Sequence, residues 1–149
     1  MKILFLHGLE SKPGGSKVKY LEGLGHEVLN PALPSDNFEA SVQIAQVACD
    51  EGAPDVIVGS SRGGAIAMVM NRRDIKTILI APAYKHYDIV PTHATVSGEE
   101  ILLHSVCDDI VPLEDSVKLV SEHGCRLHVC GSCHRMSDKD ALKALGDLL

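Results

Sequence analysis

The stretch from Lys2 to Leu6 is apolar with no period-two alternation, the pattern of a strand buried on both faces. Gly14-Gly15-Ser16 leads into a helical stretch holding Val18, Leu21 and Leu24, stopped at Gly25. His26 to Asn30 reads as a second short strand, ended by Pro31 and Pro34. Asp36-Asn37-Phe38-Glu39 has capping-box spacing, and Phe38, Val42, Ala45 and Cys49 follow at helical intervals up to Gly52 and Pro54.

The alternation continues to the end of the chain. Asp55 to Gly59 predicts a third buried strand, and Arg62 to Arg73 a helix apolar nearly all round, hence deep in the fold. Thr77 to Ile80 and Ile101 to His104 predict the fourth and fifth strands. Leu113 to His123 reads as a helix between Pro112 and Gly124, and Arg126 to Val129 as a sixth strand. Ser137 with Asp140 is expected to cap a last helix carrying Ala141, Leu142, Leu145 and Leu148 on one face. With no repeat or linker, the pattern predicts one three-layer α/β domain over residues 1–149, its sheet mainly parallel. The long irregular stretch from Ala81 to Glu100 is a candidate substrate-facing flap. In such sheets chemistry gathers at the carboxyl ends of the strands.

Composition narrows the function. A chain of 149 residues buries roughly two-thirds of its unfolded surface, enough for its own core. Hydrophobic residues at 45% and charged residues at 23% argue against disorder. No apolar run is long enough to span a bilayer, and His7-Gly8 interrupts the apolar start, so no signal peptide is expected. A net charge of −6 with 3% aromatics argues against nucleic acid as a partner. Five cysteines (Cys49, Cys107, Cys125, Cys130 and Cys133) cannot all pair within one chain, so reduced thiols in a cytoplasmic compartment are expected.

Gly59-Ser60-Ser61-Arg62-Gly63 fits G-x-S-x-G with Ser61 in the nucleophile slot, between the predicted third strand and the buried helix. That chemistry needs a sharp turn that lifts the hydroxyl above the sheet, with flanking residues too small to strike neighbouring backbone. A serine hydroxyl also needs a base. Of eight histidines, His134 falls just beyond the sixth strand and is the candidate. Asp108, in the loop after the fifth strand, is the carboxylate expected to fix its tautomer, with Asp109 left as a turn residue. The oxyanion needs two backbone donors, assigned to the amides of Arg62 and of Leu9 in the turn His7-Gly8-Leu9-Glu10.

Together these residues resemble the α/β-hydrolase superfamily along nearly the whole chain. Leu6-His7-Gly8, the elbow at Ser61, Asp108-x-x-Val111-Pro112 and Gly131-x-x-His134 match in order, and Ser61, Asp108, His134 is that superfamily's chain order. Leu6-His7-Gly8-Leu9-Glu10-Ser11 and Ala81-Pro82-Ala83 look like the small bacterial esterases of the YqiA-like group. The resemblance implies an α/β-hydrolase-type fold with a reduced sheet of about six strands and little or no cap.

Other features compete. Cys130-Gly131-Ser132-Cys133 is a C-x-x-C pair ahead of His134, open to thiol redox chemistry or zinc. Arg62, Lys85 and Arg135 are candidates for the mouth of the site, where they would favour an anionic substrate, or are simply solvated. Tyr84 and Tyr87 either line an acyl pocket or pack their loop down. The expectation is a serine hydrolase cleaving carboxylic esters or thioesters through an acyl-enzyme, with no cofactor or metal, losing activity as His134 becomes protonated. Its partner is then a small-molecule ester or thioester, with oligomeric state left open. The alternatives are a non-catalytic binding module on the same fold and a redox protein using Cys130 and Cys133.

Overall fold

The computed structural model describes all 149 residues. Six strands form one sheet: β1 (Lys2–Leu6), β2 (Glu27–Leu29), β3 (Val56–Ser60), β4 (Lys76–Ile80), β5 (Ile101–His104) and β6 (Arg126–Val129). They lie in the order β2-β1-β3-β4-β5-β6, and every neighbouring pair is parallel. Five helices cover the sheet: α1 (Ser16–Gly23), α2 (Phe38–Gly52), α3 (Arg62–Val69), α4 (Leu113–His123) and α5 (Lys139–Asp147).

The apolar runs without alternation are explained by the two cores. Leu4, Leu6, Ile57, Leu79 and Leu102 point to one face and pack with α2, α3 and α4 through Ala45, Ala65 to Met68 and Leu119. Their neighbours Ile3, Phe5, Val58, Ile78, Ile80 and Leu103 point to the other face and pack with α1 and α5 through Val18, Leu21, Ala141 and Leu145. Each central strand therefore feeds two cores, the arrangement that parallel sheets require. Strand β6 lies at an edge, and Arg126, His128 and Val129 stay exposed.

Several boundaries differ from the sequence pattern. The helix expected to run to Arg73 ends at Val69, with Met70 extended. The Gln46 side-chain amide on α2 captures the Asn71 backbone from both sides, accepting from its N–H at 2.9 Å and donating to its carbonyl at 3.2 Å. That tertiary contact removes Asn71 from the helix. Helix α2 is capped by Asn37 rather than Asp36, its Oδ1 accepting from the Ala40 amide at 2.9 Å. Helix α5 is capped by Asp138 rather than Ser137, its Oδ1 accepting from the Ala141 amide at 3.1 Å. Both caps sit one residue later because the side chain that reaches the third amide ahead takes the position.

The stretch from Ala81 to Glu100 is packed down at its start, where Ala81 to Tyr84 are buried, and its middle is largely exposed. It holds a 3-10 turn (Tyr84–Tyr87), and Val96 and Glu100 are buried at the far end of the sheet. The order of strands reverses direction at β1, which has β2 on one side and β3 on the other. A crevice opens at the carboxyl ends of β1 and β3, the place where open α/β sheets bind ligands.

Candidate active site

Ser61 leaves β3 with φ 54° and ψ −112°, a conformation that few residues with a side chain adopt, and α3 begins at the next residue. The surroundings hold the turn in place. The Ser61 amide donates to Ile80 at 2.8 Å, and its carbonyl accepts from Ala83 at 3.0 Å. Two glycines make room for it. A Cβ on Gly63 would lie 2.0 Å from the Leu6 carbonyl oxygen, and one on Gly59 would lie 2.5 Å from the Gly63 oxygen. The sharp turn lets α3 start against the ends of β1 and β3 and projects the Ser61 hydroxyl into a cleft of about 720 Å³.

His134 reaches the same cleft from the loop after β6. Its Nε2 lies 2.9 Å from Ser61 Oγ, and its Nδ1 lies 2.7 Å from Asp108 Oδ2. The Asp108 side chain is inaccessible to solvent. Burial opposes its charge, but hydrogen bonds from His134 and from the Val111 and Ile110 amides outweigh that cost, and its pKa lies below the ordinary carboxylate value. The two amides bind Oδ1 at 2.8 and 2.9 Å, leaving Oδ2 for imidazole. Asp109 is exposed.

A residue that carried no role in the sequence completes this carboxylate's surroundings. His104, the last residue of β5, is fully buried, with Nε2 3.2 Å from Asp108 Oδ2 and 2.9 Å from the Val111 carbonyl. A carbonyl can only accept, so Nε2 carries a hydrogen, and in the neutral ring Nδ1 accepts from Ser116 Oγ at 2.7 Å. Asp108 thus has three hydrogen-bond donors, the Ile110 and Val111 amides and His134, with the His104 ring packed against its Oδ2. The available clue was spacing: a histidine closing an apolar strand four residues before an acid cannot face solvent, and it needs an acceptor.

His7 is buried, its Nδ1 2.8 Å from the Gly8 carbonyl and its Nε2 accepting from the Leu33 amide at 3.2 Å. It locks the turn after β1 to the segment before α2. Gly8 sits against Ser61, with room for no more than ordinary contact at 3.5 Å if it bore a Cβ. Leu9 follows at the rim of the cleft, half exposed. Arg62 opens α3, where the first amides lack intrahelical partners.

The Arg62 side chain is not solvated: the residue lines the cleft, yet it is 1% exposed. Its Nη2 donates to the Pro34 carbonyl at 2.7 Å and to Ser41 Oγ at 2.9 Å. The guanidinium carbon lies 5.7 Å from the Phe38 ring centroid and 5.9 Å from that of Tyr87, and these two rings stack at 4.5 Å. Nε and Nη1 have no hydrogen-bond partner. The cation fastens the start of α3 to the start of α2 and to the Tyr84–Tyr87 turn, partly compensated by the ring faces. Lys85 turns away from the mouth and pairs with Asp115 at 2.5 Å. Arg135 lines the cleft.

The two tyrosines divide the roles proposed for them. Tyr84 is buried and donates to the Asp115 carbonyl at 3.1 Å, and burial with the nearby Asp115 charge raises its pKa to about 12. Tyr87 lines the cleft as well as stacking on Phe38. All five cysteines are free. Burial, aided by Asp138 and Asp140, raises the Cys130 thiol, the opposite of what a redox nucleophile needs. No three His, Cys, Asp or Glu side chains are arranged to hold a metal ion, and no helix is long and apolar enough to cross a membrane.

The sequence matches the uncharacterised protein family UPF0227 over residues 2–94, more than half of the chain. The chain belongs to that family. The matched segment contains His7, Gly8, the glycines of the elbow and Ser61; Asp108 and His134 lie beyond it. No curated protein matches the sequence. Among solved structures, Est1E from Butyrivibrio proteoclasticus is similar with a TM-score of 0.75 at 16% identity, over 98% of this chain and 84% of that one. Alpha/beta hydrolase domain-containing protein 10 from mouse gives 0.71 at 18% identity, over 97% and 86%. An alpha-beta serine hydrolase homologue from Coxiella burnetii gives 0.69 at 19%, over 99% and 81%. These likenesses establish the α/β-hydrolase fold of the UPF0227 chain, built on its six-stranded parallel sheet.

Proposed function

We propose that residues 1–149 form one serine hydrolase domain that cleaves carboxylic esters or thioesters of small acyl substrates. The observation that carries this reading is the unbroken line from Ser61 Oγ through His134 to Asp108, at 2.9 and 2.7 Å, starting from a strained residue at the floor of an open cleft. Ionised Asp108 keeps the hydrogen on His134 Nδ1, so Nε2 is free to accept the Ser61 proton. Ser61 Oγ then bonds to the acyl carbon, and the amides of Leu9 and Arg62 hold the resulting oxyanion. His134 returns the proton to the leaving oxygen or sulfur as its bond to carbon breaks. Water, deprotonated by the same His134, releases the acid and restores Ser61. Five unpaired cysteines support a reducing, cytoplasm-like compartment.

The test is intact-protein mass after treatment with a fluorophosphonate. One phosphonyl adduct is expected on the wild type and none on Ser61→Ala or His134→Ala. No adduct on folded wild-type protein would remove the hydrolase reading and favour a ligand-binding module on the same fold.

A further inference from the structure

The cleft beside Ser61 is positively charged in an otherwise acidic protein. Lys12, Lys17, Arg62 and Arg135 line it against a single carboxylate, Glu10, although the formal net charge of the chain is −6. Arg62 is committed to Pro34 and Ser41. Lys12, Lys17 and Arg135 form no ion pair with any carboxylate. Such a grouping is electrostatically costly in the free protein and favourable once an anion sits among the charges.

Their position is fixed relative to the base. Lys17 Nζ donates to the Arg135 carbonyl at 2.5 Å, and Arg135 directly follows His134. Ser16 Oγ, one residue before Lys17, lies 3.1 Å from Ser137 Oγ, which in turn donates to the same Arg135 carbonyl at 3.0 Å. The first turn of α1 and the His134 loop therefore form one wall. Burial and the nearby Arg135 charge bring the Lys17 pKa down to about 8, against a smaller upward pull from Cys133. The cap residue of α1, Gly15, offers no side-chain acceptor, and no acidic residue occupies the first turn, so the positive end of the helix adds to the wall.

We propose that this wall is an anion subsite, and that the substrate carries a carboxylate or phosphate on its leaving alcohol or thiol, a few bonds from the scissile linkage. The leaving-group side follows from chemistry: His134 must protonate the departing atom, and Arg135 and Lys17 adjoin His134. The inference rests on the serine-hydrolase reading and goes beyond it by assigning a substrate class.

The test compares kcat/KM for 4-carboxyphenyl butyrate, its neutral isostere 4-carbamoylphenyl butyrate and 4-(phosphonooxy)phenyl butyrate at low ionic strength. The wild type is expected to favour the anionic esters about fivefold or more, the size of one partly screened ion pair. The larger of the two anionic rates tells carboxylate from phosphate. The preference should shrink with added salt, approach unity in Lys12→Gln/Arg135→Gln, and invert in Arg135→Glu; both residues are exposed, so these variants should fold. Where the butyrates turn over slowly, protection of Ser61 from the fluorophosphonate gives the same contrast, with 4-hydroxybenzoate effective at lower concentration than 4-hydroxybenzamide. Equal turnover of charged and neutral esters, or equal protection, overturns the subsite and leaves the hydrolase reading standing. No turnover and no adduct overturn both.

Discussion

Two buried carboxylates bracket β5, and they have different uses. Glu100 stands just before the strand and Asp108 four residues after it. Burial opposes the charge of each, and each is nevertheless held below the ordinary carboxylate value, Glu100 by the Ser97 and Gly98 amides and by Arg72, Asp108 by His134 and two loop amides. The partners make the difference. Arg72 lies 2.8 Å from Glu100 with both side chains buried, and a guanidinium is not a proton shuttle, so that pair holds structure. His134 can take and release a proton, and its other nitrogen meets Ser61 in an open cleft. Similar pKa machinery serves anchorage at one end of the strand and, in the proposed function, chemistry at the other.

That contrast sets the order of expected effects. Asp108→Asn should lower kcat by about 10⁴-fold, because the amide no longer holds the Nδ1–H tautomer of His134. Steady-state hydrolysis of the preferred ester measures it, and a loss under tenfold would break the assignment. Arg72→Met should leave kcat near wild type and cost about 3–5 kcal/mol in urea unfolding, since it strands a buried Glu100 charge. A catalytic loss exceeding the loss of folded protein would show that the two ends of β5 are coupled.

His104→Asn removes the buried imidazole that bonds the Val111 carbonyl and Ser116 beside Asp108, and should cost about 1–3 kcal/mol of stability, the penalty of leaving buried polar groups unpaired, with a smaller fall in kcat than Asp108→Asn. Acid should act on both ends together. A carboxylate with a depressed folded pKa contributes stability above its unfolded value and loses it as pH falls toward the folded one. Unfolding midpoints should therefore drop steadily below about pH 4–5. In Glu100→Gln the midpoint should start lower at neutral pH and fall less steeply in acid. An unchanged slope would mean that Glu100 is not ionised in the folded protein.

The same comparison explains what could be read from residue order. The elbow was legible because its demands are local: Gly59 and Gly63 leave no room for a Cβ, and Ser61 follows directly from a strand. The His134 and Asp108 positions were legible because strands that end at one edge of a parallel sheet deliver their following loops there. His104 was not, since its role depends on Val111 and Ser116 closing around it. Arg62 was misplaced because a cation near an active-site serine ordinarily seeks solvent. Here the Phe38 and Tyr87 rings, brought together from α2 and the Tyr84–Tyr87 turn, cover it. Lys12 and Lys17 were overlooked because nothing in their own neighbourhood announces the His134 loop more than a hundred residues away.

By itself, then, the amino-acid order determined the alternation of strands and helices, the two-faced burial of the central strands and the turn that raises Ser61. All three follow from periodicity and from excluded volume within a few residues. Tertiary structure alone decided where α3 stops, which ends of the chain meet at the cleft, and which charges are satisfied. Those outcomes depend on hydrogen bonds and desolvation between segments distant in the chain, such as Gln46 with Asn71 and Lys17 with Arg135, and no local pattern encodes the energy of a contact whose partner arrives only on folding.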